Sequence, residues 1–526
     1  MSWKHVFGIT AALGLVFCWA VDAQAALQAE KTSKAEKKPS APAEKPARKE
    51  AAEPRKPAPP SQPIPPPVIV RKDARLTIPV VPNPGAPPLA ECVATVGPLV
   101  PVTAVAFSPD GKLLAAAGYQ EVVLWDLAEA KLLKRVGAGQ LSGSVHALAF
   151  SKDGRSLAAG DGAPCHSGSV KIFDVQTGQQ TAAFQDPKDV VYALALSPDG
   201  KLLAAGGADG LAYVWSLADQ QLVTAIQEHG DWVDAVGFSP DGKLLATASS
   251  DRSVRVWEVG TWKSLNKFQQ PDAVQAAAFS PDGQLLAWAV AGAQERMVRW
   301  RQPVEEPEEK DKAAAAKKPP RTIPQIRTLD TAGGMPLDLI WGSVRQGSQQ
   351  QARLYVACAD KTVKVFNSSG GLMASLTGHG DWVYCIAASA DGSKFASGSA
   401  DGTVKLWTGA DNRPLATLVQ LACGKEDWLI LTAQGFFATS TPDSLKWEPK
   451  ATGSQPPPSA EDFVAKYQNP EAVRNLLAGK PAIPPPAPPK PSAARKPSPA
   501  PKPSAPGKAS VPQEKPKPSP ELKKPK

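Results

Sequence analysis

Histidine is the first residue type to examine for acid–base or metal chemistry, because imidazole both ligates metals and titrates near neutrality. Only five of the 526 residues are His: His5, His146, His166, His229 and His379. His229 and His379 each open the same pentapeptide, His-Gly-Asp-Trp-Val, at 229–233 and 379–383. Cys165-His166 could supply half a metal site, but zinc sites draw three or four ligands from local spacings. Nothing near GDGAPCHSGS completes such a set. The six cysteines are scattered, with no Cys-x-x-Cys pair, so neither a disulfide framework nor a haem attachment site is expected. Glycines recur at turn spacing and not in a phosphate-cradling loop. No nucleophile with its base and no paired carboxylates stand out. The expectation is a chain without catalytic residues, metal or cofactor.

The elements that would position these side chains recur along the chain. Val102–Asp126 (VTAVAFSPDGKLLAAAGYQEVVLWD) is echoed by Val233–Glu258 (VDAVGFSPDGKLLATASSDRSVRVWE) and by Val383–Thr408 (VYCIAASADGSKFASGSADGTVKLWT). Each unit reads as an alternating apolar strand, a tight turn, a second strand, a polar turn and a third strand ending on an aromatic residue. Trp125, Phe173, Trp215, Trp257, Trp300, Phe366 and Trp407 are seven such anchors, and internal repeats at this period imply a propeller of seven blades. One longer interval is explained by the charge-segregated insertion EEPEEKDKAAAAKKPP at 305–320, ahead of a strand expected at Gln325–Leu329.

Turn chemistry agrees. In Ser-Pro-Asp-Gly at 108–111, 197–200, 239–242 and 280–283, proline presets φ and glycine accepts a positive φ at the exit. Ser151–Gly154 and Ser389–Gly392 are variants, and GSVRQGSQQQAR in the sixth unit suggests a longer loop. Small residues such as Ala115, Ala116, Ala204, Ala205, Ala246 and Ala248 fit second strands where blades narrow and pack face to face.

Across roughly Glu91–Leu421 these residues resemble the WD40-repeat β-propellers. The resemblance implies a hydrogen-bonded tetrad that staples a blade: His229, Thr247, Asp251 and Trp257 in the fourth unit, and His379, Ser397, Asp401 and Trp407 in the seventh. The third unit keeps Asp209 and Trp215 and the sixth keeps Asp360 and Phe366, without the histidine. The first, second and fifth place Tyr119, Ser167 and Gln294 where the Asp would stand, so those blades are expected to rely on apolar packing alone. The resemblance also implies a partner-binding rim, formed by the loop before each first strand and the loop between second and third strands. Carried over by position, its residues are His146, Val190, Tyr192, Trp232, Asp234, Trp382 and Tyr384. Aromatics with acidic neighbours have the composition of binding hot spots; alternatively the rings cap the channel entrance and pack on their neighbours. The insertion at 305–320 lies between third and fourth strands, hence on the opposite rim.

A second resemblance, over about Val419–Lys480, is to a small module that trails WD40 arrays in exported bacterial proteins. In it Gly435-Phe436-Phe437 turns a β-hairpin, and Tyr467–Pro470 leads into a short helix.

The two ends differ in kind from the repeats. Lys4 and His5, the apolar run Val6–Ala20 and Ala23-Gln24-Ala25 have the layout of a secretory signal cleaved after Ala25. The run is shorter than the roughly 20 residues that span a bilayer, and bulky Phe17 before Cys18 argues against a lipoprotein anchor. The expected organisation is a signal at 1–25, a disordered Ala/Lys/Pro-rich linker at 26–85 and an all-β, seven-bladed propeller at 86–421. A disordered loop at about 303–322 interrupts the propeller, and a hairpin-plus-helix module at 422–479 and a flexible Pro/Lys-rich tail at 480–526 follow it. Either the strand near Cys92–Val96 or that near Pro414–Val419 could close the ring.

The net charge of +9 belongs to the ends: residues 26–75 carry about +6 and 480–526 about +9, leaving about −6 between them. Basic tails without a basic folded face exclude a specific nucleic-acid site. The expected function is a non-catalytic scaffold outside the cytoplasm that binds protein partners through one rim. The alternatives are a binder of envelope polymer or membrane surface through its tails, and a propeller that takes a small ligand, or acts as an enzyme, in its channel.

Overall fold

The computed structural model describes residues 74–80, 90–96, 100–291, 294–299, 326–331, 334–346, 349–421, 424–449 and 459–482. Antiparallel sheets follow one another along the chain in the order of their strands. Six are four-stranded blades, at 104–136, 144–184, 191–226, 233–269, 274–330 and 336–376. The seventh repeat does not make a seventh four-stranded blade. Its strands Val383–Ala388, Lys394–Ser399, Thr403–Thr408 and Pro414–Gln420 continue into Trp428–Thr432 and Phe437–Thr439, giving one six-stranded sheet. The expectation of seven equivalent blades is corrected accordingly. The hairpin assigned to a separate module extends this sheet, because its apolar residues pack on the outer edge and Gly435, at φ 94°, turns the chain back.

The first strand of each sheet packs against the first strand of the next, and Val383–Ala388 packs against Ala104–Phe107, which closes the ring. At that seam the Val102 N–H donates to Ser399 O at 3.0 Å. Of the two candidate closing strands, Pro414–Gln420 takes the place beside Thr403–Thr408. Ala90–Val96 pairs instead with Ala74–Val80 on one side and with Leu445–Pro449 on the other, forming a separate three-stranded clasp. Residues 74–80 of the expected linker are therefore a strand.

The Ser-Pro-Asp-Gly turns are held by their own side chains. In the first, Gly111 takes φ 67° and its N–H donates to Ser108 O at 2.9 Å, while Asp110 accepts from the Ser108 hydroxyl at 2.6 Å and from Lys112 N at 3.1 Å. The same bonds recur from Ser197, Ser239 and Ser280, so the turn is specified locally in each unit. Between turns, Ala115, Ala204, Ala205, Ala246 and Ala248 are fully buried where sheets meet. The loop expected in the sixth unit is shorter than the sequence suggests, and the corresponding turn of the second unit is short too. In the sixth unit Pro336–Gln346 and Gln349–Cys358 form one long hairpin, and in the second only Pro164–His166 separates Ser156–Ala163 from Ser167–Asp174.

Two helices follow the clasp, where one was expected. Helix α1 (Ala460–Tyr467) is capped by Ser459 and α2 (Pro470–Leu477) by Asn469, with Pro470 at its first turn. Phe463 of α1 stacks on Trp447 of the clasp at 5.2 Å and on Tyr467 at 4.5 Å. Val473 and Leu477 of α2 are buried against the six-stranded sheet. The strand expected at Gln325–Leu329 is found at Ile326–Asp330. The signal segment and Ala25, the rest of the linker, the loop at 303–322 with its rim placement, and the tail beyond 482 lie outside the described residues.

Candidate functional site

The two histidine units form matching chains of hydrogen bonds. In blade 4 the Trp257 indole donates to Thr247 Oγ1 at 2.9 Å, the Thr247 hydroxyl donates to His229 Nε2 at 2.7 Å, and His229 Nδ1–H donates to Asp251 Oδ2 at 3.0 Å. In the six-stranded sheet Trp407, Ser397, His379 and Asp401 repeat it at 2.9, 2.8 and 3.3 Å. This proton order is the one in which every buried atom of the chain has a partner. Burial alone would raise the Asp251 and Asp401 carboxyls, but hydrogen bonds from the histidines and from Ser253 and Thr403 hold both well below the usual carboxylate range. Burial lowers the His379 imidazole against the pull of Asp401, so it is uncharged near neutrality.

Blades 1 and 2 do not rely on apolar packing alone, and for them that expectation is corrected; blades 3 and 6 have polar pairs as well. In blade 2, Asp161, fully buried, pairs with Lys171 Nζ at 3.0 Å and accepts from the Ser142 and Ser169 hydroxyls. In blade 3, Tyr213 donates to Asp209 at 2.7 Å and Trp215 to Asp186 at 2.8 Å. In blade 1, Glu121 pairs with Arg135 at 2.6 Å, and in blade 6, Asp360 pairs with Lys364 at 2.9 Å. The signal for part of this was present: Lys171, Arg255, Lys364 and Lys405 all stand two residues before the third-strand aromatic, a charged position in an otherwise apolar strand. Where no polar partner stands nearby, an indole is left without one. Ala116 occupies in blade 1 the register position of Thr247, and Trp125 Nε1 is buried unpaired. In blade 5, Trp288 itself stands at that position, stacked on Phe268 at 5.3 Å, and Val298 lies opposite Leu286, the register place that Trp257 holds opposite Leu245 in blade 4. The expected anchor Trp300 lies outside the described residues.

A rim is built by the two loops that the sequence singled out. The residue before the first strand accepts from the turn between second and third strands in five units: Val190 O from Ala208 N, Trp232 O from Ser250 N, Ala273 O from Ala291 N, Met335 O from Ala359 N and Trp382 O from Ala400 N. Just beyond it, the inner strand slips register by one residue at His146, Tyr192, Asp234, Gln275, Leu337 and Tyr384. A bulge leaves its extra residue out of the ladder and re-aims its side chain. Six units therefore place one such side chain at the mouth of the ring.

These side chains are not equivalent. The His146 ring meets Tyr192 edge-on at 5.3 Å, and Tyr192 meets Trp232 at 5.4 Å, so three rings from three blades form a continuous run. Beside them Asp234 accepts from the Ser250 hydroxyl at 2.6 Å. Burial pushes the Asp234 carboxyl up to about 8, opposed by that hydrogen bond and reinforced by Asp231 and Asp251. Burial takes His146 down to about 4, and burial together with Asp234 and Asp189 raises Tyr192. Asp189, Asp231, Asp272 and Asp381 ring the same edge, each accepting from the N–H of the next residue. Trp382 and Tyr384 lie apart from the run: among the described residues neither makes a ring contact. Three of the rings expected at the rim therefore pack on one another, and two stand apart from them.

Cys165 and His166 sit in an exposed turn, with the Cys165 N–H donating to Asp189 Oδ1 at 2.9 Å. Among the described residues no group of three or more His, Cys, Asp or Glu is placed to hold a metal ion, and no helix is long and apolar enough to cross a membrane.

Comparison with known proteins bears on this geometry. The WD40 profile, "WD domain, G-beta repeat", matches at 90–126, 133–174, 178–216, 220–258 and 370–408. None of these matches covers blade 5, where Val298 and Trp288 depart from the repeat. Among curated proteins the chain is similar to the intraflagellar transport protein 122 homolog of Xenopus tropicalis, 45% identical over 56 residues, 11% of this chain and 5% of that protein. It is also similar to the small ribosomal subunit protein RACK1 of Medicago sativa, 42% identical over 77 residues, 14% of this chain and 21% of that protein. The matched stretch is thus a small fraction of each relative's length.

Proposed function

We propose that this WD40-repeat propeller is a non-catalytic scaffold that acts outside the cytoplasm and binds protein partners through the rim carrying His146, Tyr192, Trp232, Asp234, Trp382 and Tyr384. The observation that carries the reading is the run of three partly buried rings, contributed by three blades and bordered by carboxylates. Large rings set in a fixed frame lose little entropy when a partner covers them, which is the property of a hot spot. The repeats support a rigid frame, because blades 1 to 4, blade 6 and the six-stranded sheet each carry polar contacts of their own. One of the similar proteins is named for a ribosomal subunit and the other for intraflagellar transport, and both names fit a role in assembly.

The test is capture from an envelope extract by the full chain and by a Trp232→Ala/Trp382→Ala double variant. Loss of specific proteins with the variant is expected, and an unchanged set would refute the rim. The address rests on the layout of residues 1–25 alone; N-terminal sequencing of the mature protein should begin at Ala26. Retention of Met1 or Ser2 would place the chain elsewhere.

A further inference from the structure

We propose that the mouth of the ring at blades 2 to 5 is a cation subsite. It takes one lysine or arginine side chain from a basic segment of a partner protein, against Tyr192 and Trp232 and bonded to Asp234 and Gln275. The inference rests on the rim reading above and names the chemistry that the rim selects.

Four observations converge on it. First, three acids on the blades have cation partners, Asp161 with Lys171, Glu121 with Arg135 and Asp360 with Lys364, while Asp338 is met instead by the Leu339 and Ile386 N–H groups. Asp234 differs from these. Its hydrogen-bond donor is the Ser250 hydroxyl, and the charges acting on it are those of Asp231 and Asp251, of its own sign. Second, Gln275 holds the same bulge position on the neighbouring inner strand, and its Oε1 is buried with no donor. A carboxylate without a cation and a buried amide oxygen without a donor thus stand on adjacent inner strands, and such an amide oxygen is costly to leave unsatisfied. Third, the groups beside them are aromatic: Tyr192 and Trp232 are tilted by 34° with centroids 5.4 Å apart, and His146 closes the far side of Tyr192. Aromatic faces attract ammonium and guanidinium groups and disfavour anions. Fourth, the positions related by the repeat do not share this character. Thr103, in blade 1, spends its hydroxyl on Ala117 O and Val145 O; Leu337 is apolar and Tyr384 is isolated from other rings. Donor-poor and acceptor-rich polarity is confined to one arc of the ring.

A protein segment fits this arc better than a free small cation does. Asp234 stands two residues into the inner strand from the rim position of Trp232, and Gln275 holds the same place on the next strand, so a bound head group would be joined to a stem leading outward past the rim. The carboxylates Asp189 and Asp231 along that exit favour further basic residues on either side of the inserted one.

The experiment uses the full chain and four fluorescein-labelled pentapeptides, Gly-Gly-X-Gly-Gly with X as Lys, Arg, Glu or norleucine, with affinity read by anisotropy. The Lys and Arg peptides should bind at least about tenfold more tightly than the norleucine and Glu peptides. Asp234→Asn should weaken the Lys peptide about tenfold while the melting temperature holds or rises, Gln275→Leu should weaken it several-fold, and Leu222→Ala, on the exposed outer strand of blade 3, should leave it unchanged. Equal affinity for Lys and norleucine peptides, or an Asp234→Asn variant that binds as well as the parent, overturns the proposal. Competition by free lysine amide at the peptide's own affinity also overturns it, in favour of a small-cation site. Protein capture that depends on Trp232 and Trp382, without preference among the peptides, would leave the rim standing and remove only the cation. Peptide preference with unchanged protein capture would remove the rim as the partner face.

Discussion

Blade 4 and the six-stranded sheet contain the same pentapeptide, and the two copies end in different surroundings. Below the surface they are alike: His229 and His379 bridge a hydroxyl and a carboxylate at closely similar distances. At the rim they part. Trp232 joins Tyr192 and His146, with Asp234 two residues on, whereas among the described residues Trp382 has no ring partner, with Tyr384 two residues on. Five identical residues fix the staple, because every partner of the staple lies in the same unit. The rim depends on the neighbouring blades, which that local sequence does not specify.

The largest expected effect extends the comparison to a unit with no histidine. Asp161→Ala in blade 2 should destabilise the fold by about 3–5 kcal/mol in denaturant titration, because it strands the buried Lys171. An Asp161→Ala/Lys171→Met pair should recover most of that loss, and no recovery would show that the pair is not the staple. Next, His229→Ala and His379→Ala should each cost about 2–4 kcal/mol, by the loss of a buried network and the cavity left behind. Similar values would support one device used twice; a difference larger than about 2 kcal/mol would break the equivalence.

The rim should show the opposite behaviour. Trp232→Ala should weaken partner binding at least about tenfold, roughly 1.4 kcal/mol, and Trp382→Ala less than about threefold. Equal losses would mean that the isolated ring matters as much as the run.

The smallest effect is in pH. Asp251 and Asp401 have lowered pKa values, so their stabilisation is complete above the ordinary carboxylate value near 3.8 and is lost as pH falls through their folded values. Asp234 runs the other way. Its carboxyl, raised to about 8, contributes stability at low pH that fades between its ordinary value and about 8. Asp231, Asp251 and Tyr192 are the titratable groups that face it, and Ser250 is its hydrogen-bond donor. Between pH 5 and 9 the melting temperature of the parent should fall by a few degrees more than that of Asp234→Asn. Parallel curves would contradict the assignment.

What could be read in advance was whatever each repeat specifies within itself. The Ser-Pro-Asp-Gly turns, the Ala-rich second strands and the two histidine staples all depend on residues a short way apart. The Asp161–Lys171 pair was within reach too, since a lysine inside VKIF has to find a partner, but its acid stands at a position the repeat does not reserve. Trp288 was hidden for a different reason: blade 5 moves its large ring from the third strand to the second, which keeps the packing and breaks the pattern. The clasp was the least legible. Ala74–Val80 follows a Pro/Lys-rich stretch, and its sheet partners include a strand at Leu445–Pro449, beyond the whole ring.

That clasp bears on the order in which the molecule can assemble. Every sheet of the ring is drawn from one continuous stretch of chain and can form as soon as that stretch is available. Pairing Ala90–Val96 with Leu445–Pro449 closes a loop that contains the entire ring, and the entropy of closing so long a loop is repaid only once the intervening chain is already compact. The clasp is thus expected to form last and to open first, and hydrogen exchange in Ala90–Val96 faster than in the inner strands is the outcome that would bear this out.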